Sequence, residues 1–132
     1  MSTLIRLATL AGPYSGIGAL VLGLLHWFFG VSFIGLHILF GSVVTASLLV
    51  AGVVAMTRRD TRLIGALAVV FAPVVPIFGM TQMTILVGGN HWIVRVAHLL
   101  VGAGAIALTE RIGDRYLKGS ARPASAEAAR AA

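Results

Sequence analysis

The chain has no cysteine among its 132 residues. That excludes disulfides, thiolate catalysis, iron–sulfur clusters and covalent c-type haem attachment. Acidic residues are nearly as scarce: there are four, and none lies between Asp60 and Glu110. No carboxylate pair, phosphate-binding loop or nucleophile–base pair is visible, so hydrolysis and phosphoryl transfer have no support. Charge of either sign is missing from two long stretches, residues 7–57 and 63–94. What fills them is apolar. Hydrophobic residues make up 58% of the chain and the mean hydropathy is +0.99, outside the usual range of soluble domains.

A membrane-spanning helix needs about 20 apolar residues. The first stretch therefore holds two helices, and the second holds one and the start of another. The expected fold is all-α: a four-helix transmembrane bundle, one domain over residues 1–118, with no room for a separate soluble domain. A secretory signal is the competing reading of Arg6 and the apolar run behind it. That run continues far past a signal core and lacks a convincing cleavage site, so it reads as a mature helix.

The net charge of +6 and pI near 11.5 record topology rather than nucleic-acid binding. Arg58, Arg59 and Arg62 share one loop with Asp60; Arg6 precedes the first helix, and Arg111, Arg115, Lys118, Arg122 and Arg130 lie in the last turns of the fourth or beyond it. The connections at Gly30-Val31-Ser32 and Gly88-Gly89-Asn90 carry no basic residue. By the positive-inside rule both termini are cytoplasmic and the two bare turns face outward. The expected setting is a bacterial inner membrane, with contact to anionic lipid at the basic side.

The first helix is expected from about Gly12 to Phe29, with Pro13 in its first turn. The second runs from about Ile34 to Met56. The third runs from near Arg62 to near Val87 and is kinked in its middle by Pro73 and Pro76. The fourth opens at His91 and continues to about Lys118. Residues 119–132, rich in Ala with Ser, Pro and Glu, read as a disordered tail. Short turns join helix one to two and three to four, giving two antiparallel hairpins in succession.

Two segments then repeat each other: His37-Ile-Leu-Phe-Gly41 and His98-Leu-Leu-Val-Gly102. Four residues is about one helical turn, so each glycine shares a helix face with its histidine. A histidine inside a membrane segment is costly and marks a functional site by default. Counted down to the arginine loop and to Lys118, the two histidines lie at similar depth, nearer the outer face. Two neutral imidazoles on facing helices at one height suit the axial ligation of haem b, and Gly41 and Gly102 leave room for a flat macrocycle. The plainer reading of the glycines is close helix packing. His26 is the runner-up ligand. His26 and His91, beside Trp27 and Trp92, also read as interfacial anchors.

Arg95 is the one fixed charge within the spans away from their cytoplasmic ends. It lies four residues after His91 and three before His98, so the three share a face. No carboxylate of the outer half can pair with it. A haem propionate would serve; lipid phosphate or another subunit is the alternative. Met80 and Met83 read as packing, and Gln82 as an interhelical hydrogen bonder or a contact to propionate or quinone. Three histidines on one zinc or copper ion would need ligands converging within about 2 Å, which their spread along the helices opposes.

Over residues 10–118 the chain resembles four-helix membrane b-type cytochromes, with His37 and His98 in the ligand positions. The resemblance implies haem b between helices and electron transfer, with quinol or a periplasmic protein as redox partner, rather than metabolism of a soluble substrate. It differs in having no histidine in the inner half, which argues against electron transfer across the whole membrane. The alternative is a non-catalytic structural subunit, packed in a homo-oligomer or a larger respiratory or transport complex, with Arg95 paired across the interface.

Overall fold

A computed structural model describes the backbone of residues 2–131 and the side chains of residues 3–117. Within the described residues the chain is helical, with no strand. Helix α1 spans Ser2–Phe29, α2 Ile34–Met56, α3 Arg62–Phe71, α4 Val74–Thr81 and α5 His91–Ala131; a 3-10 turn at Gln82–Thr84 follows α4. With α3, α4 and the 3-10 turn taken as one interrupted span, four helices are long and apolar enough to cross a membrane. Residues 119–132, expected as a disordered tail, lie beyond the last described side chain.

α2 has the expected limits, whereas α1 begins at Ser2 and not near Gly12. Ser2, Thr3 and Arg6 hide the extension in the sequence, yet Ile5 and Ala8 on its inner face are buried in the core. Pro13 consequently lies inside the helix. The third span is interrupted, not merely kinked. Helix α3 closes with Ala72 N–H donating to the Ala68 carbonyl, and α4 restarts with Ile77 N–H donating to that of Pro73. Pro73 and Pro76 each lack the amide hydrogen that would carry the helix through.

The first hairpin turns at Gly30, whose φ of +67° falls in the left-handed region that glycine adopts without penalty. The second turns at Gly88, φ +104°. Helix α2 packs on all the others, α5 packs on α1 to one side and on α3 and α4 to the other, and α1 touches neither α3 nor α4. The cross-section is therefore a rhombus with α2 and α5 on its short diagonal.

Packing density is uneven along the bundle axis. The end bearing the arginine loop is well filled, with Ile5, Leu48, Ile112, Thr61 and Thr109 fully buried. There Arg58 donates to the Tyr116 carbonyl at 2.8 Å and lies 4.2 Å from the Tyr116 ring centroid, joining the loop to α5. Thr61 donates to the Ala55 carbonyl at 2.8 Å and closes the loop on itself. Gly52 and Gly65 bring α2 and α3 together backbone to backbone, as small residues do at membrane helix crossings. The turn end differs. No residue in 17–43, 76–93 or 95–104 is buried.

Candidate functional site

His37 lies in the first turn of α2 and His98 in the second turn of α5, so the short diagonal points them at each other. Their ring centroids are 5.9 Å apart with planes inclined at 45°. His37 Nδ1–H donates to the Ala19 carbonyl of α1 at 2.9 Å. The carbonyl can only accept, so Nδ1 carries the hydrogen, and in the neutral ring Nε2 then keeps the lone pair through which an imidazole ligates a metal. His98 Nδ1 is buried and has no hydrogen-bond partner. A buried polar atom left unpaired costs about 1–3 kcal/mol, so this atom marks an unmet demand. The His98 ring also stacks on Phe78 of α4, with centroids 6.1 Å apart and planes 19° from parallel.

Two glycines that the sequence pattern did not single out make room for these rings. A Cβ at Gly23 would lie 3.3 Å from His37 Cε1, and one at Gly79 would lie 3.4 Å from His98 Cε1. Gly23 is also four residues after Ala19, where a side chain would screen the Ala19 carbonyl from the imidazole. A signal for both was present in the hairpin register. Gly23 and His37 each stand seven residues from Gly30, and Gly79 and His98 stand nine and ten residues from Gly88. In each hairpin the first helix offers a glycine to a histidine on the second. Gly41 and Gly102 behave differently: a Cβ on either would meet nothing within 4 Å. They border open space, and tight helix packing does not account for them.

The remaining residues singled out in the sequence stand apart from the pair. His26 is exposed in the last turn of α1, about 4.5 Å along the axis beyond the Gly23 level at which the His37 ring sits. His91 donates through Nδ1 to the Ile85 carbonyl at 3.2 Å and ties down the second turn. Arg95 is exposed, with its guanidinium carbon 5.9 Å from the Trp27 ring centroid. Among the described residues no three His, Cys, Asp or Glu side chains are placed to share a metal ion. The facing pair remains.

Two metal–nitrogen bonds of about 2 Å set opposed ring nitrogens about 4 Å apart, and the reach from each nitrogen to its ring centre brings the centroids to about 6 Å. The observed centroid spacing is of that size, so His37 and His98 are the residues that could hold one metal ion between them. No family model, no curated protein and no solved structure matches the chain.

Proposed function

We propose that this chain is an integral membrane haem b protein, with His37 and His98 as the axial pair, that passes electrons. The carrying observation is the facing pair itself, 5.9 Å apart in the half of the bundle where almost no side chain is buried. When bound, haem b contributes a one-electron couple; the chain's own residues hold, orient and insulate it. His37 is preset as a ligand by the Ala19 carbonyl. Gly41 and Gly102 leave the space beside each ring free. Arg95, three residues nearer the turn end than His98, offers its guanidinium to a propionate. The pair lies close to the turn end, so the partner is quinol or a periplasmic protein meeting that end. The clustering of arginines at the opposite end supports cytoplasmic termini and a multi-pass place in a bacterial cytoplasmic membrane.

The test is an absorption spectrum of the purified protein, before and after haem addition. A Soret band with low-spin bis-histidine features is the expected result. Its absence under both conditions would leave the other reading ahead, a structural subunit of a larger membrane complex. That reading draws on the exposed Arg95 guanidinium, which has no carboxylate near it in sequence.

Two substitutions probe the supporting residues. Arg95→Ala should weaken haem retention roughly tenfold, the size of one charge-assisted hydrogen bond of about 1.5 kcal/mol, while the low-spin spectrum persists. Retention equal to the parent's would remove Arg95 from the site. Gly23→Val places a branched side chain where Cε1 of His37 already stands 3.3 Å away. It should drive the ring off the Ala19 carbonyl and cost most of the low-spin signal, with helicity by circular dichroism unchanged.

A further inference from the structure

Below the histidines α3 and α5 diverge, and a groove of about 480 Å³ opens between them. Its lining is Leu67 and Phe71 from α3 and Gly104, Ala107, Leu108 and Arg111 from α5. The α5 residues recur at spacings of three and four, so they form one stripe about 10 Å long from Gly104 to Arg111. Gly104 keeps the deep end shallow and apolar, since a Cβ there would already touch the Phe71 ring at 3.6 Å. Leu67 is 57% exposed, so the groove is open along its bilayer side. At the other end Arg111 is exposed and makes no hydrogen bond or ion pair with any described residue.

We propose that this groove seats one acyl chain of an anionic phospholipid whose phosphate rests on Arg111. An apolar channel facing the bilayer takes a lipid chain, and a guanidinium at the interfacial end of such a channel pairs with phosphate through parallel N–H donors. Basic sites between spanning helices hold anionic headgroups in this way. Arg111 stands on the ridge between this groove and a second one on the α1 side, lined also by Glu110 and Asp114. The Glu110 carboxylate repels a phosphate on that side and so favours the apolar groove as the seat. An isoprenoid quinone would suit the same walls, but its neutral carbonyl takes only a single hydrogen bond from the guanidinium, without the charge pairing a phosphate offers. Along α5 the groove begins about 9 Å from His98 and Arg111 lies about 20 Å from it, and the site does not depend on what the histidines hold.

Native mass spectrometry of the full chain, released from detergent and titrated separately with phosphatidylglycerol, phosphatidylcholine and ubiquinone, tests the site. One phosphatidylglycerol adduct should form at least tenfold more tightly than any phosphatidylcholine adduct. Arg111→Gln should erase that preference, Gly104→Leu should fill the groove and lose the adduct, and Glu110→Gln should keep it. Equal affinity for the two phospholipids, an unchanged preference in Arg111→Gln, or displacement of phosphatidylglycerol by equimolar ubiquinone would each overturn the assignment.

Discussion

His37→Ala and His98→Ala are each expected to abolish the low-spin bis-histidine spectrum, leaving at most a weak high-spin band. Either variant would remove one of the two proposed ligand nitrogens, and no neighbour can replace it. His26 and His91 stand too far toward the turn end, since a mismatch of one helical turn, about 5.4 Å, exceeds a bond of about 2 Å. The bundle itself should survive. His37→Ala gives up one hydrogen bond, to the Ala19 carbonyl, and such side-chain bonds inside membranes average about 0.6 kcal/mol. His98→Ala removes a ring whose Nδ1 is unpaired, so it forfeits the stacking on Phe78 but no hydrogen bond. His26→Ala and His91→Ala should leave the spectrum largely intact. An unchanged spectrum in His37→Ala, with loss in His26→Ala, would move the ligand to α1.

Gly65→Ala is expected to be the most damaging single-methyl addition to the fold. Its Cβ would stand 2.7 Å from the Gly52 carbonyl oxygen and 2.8 Å from the Met56 amide nitrogen. Both are backbone atoms, so relief requires α3 to move bodily away from α2. Overpacking of this kind costs about 1–3 kcal/mol, which a denaturant titration in mixed micelles resolves. Gly35→Ala is the matched control. A Cβ there meets nothing within 4 Å, and exchanging glycine for alanine in a helix gains up to about 1 kcal/mol. Equal midpoints for the two variants would mean that the α2–α3 crossing is looser than its backbone contact implies.

The helices were legible in the sequence because charge and its absence are coarse signals. The uncharged run up to Met56 and the bare turns delimit α2 and both hairpins without any knowledge of packing. The start of α1 was hidden for the converse reason: Arg6 marks a membrane boundary, and a helix can continue past one when Ile5 and Ala8 find a core. The interruption at Pro73 was legible as a disturbance, but its extent depends on how α4 repacks beside α5. The histidine pair followed from periodicity within α2 and α5, which sees only neighbours on the same helix. The glycines that meet the rings, Gly23 and Gly79, belong to the opposite helix of each hairpin, so pattern along one helix passed them over. Phe78 gave no signal, because one aromatic residue in an apolar span resembles any other.

The short diagonal of the rhombus has a consequence for biogenesis. His37 belongs to the first hairpin and His98 to the second, and only Thr57–Thr61 links the two. Each hairpin is mostly helical and could enter the bilayer as a unit, with lateral association following as a separate stage. Neither insertion step creates the pair; only docking of one hairpin on the other does. A spectrum from the pair would therefore time that docking event rather than insertion. It would also report it when residues 1–59 and 60–132 are made as two chains and left to find each other.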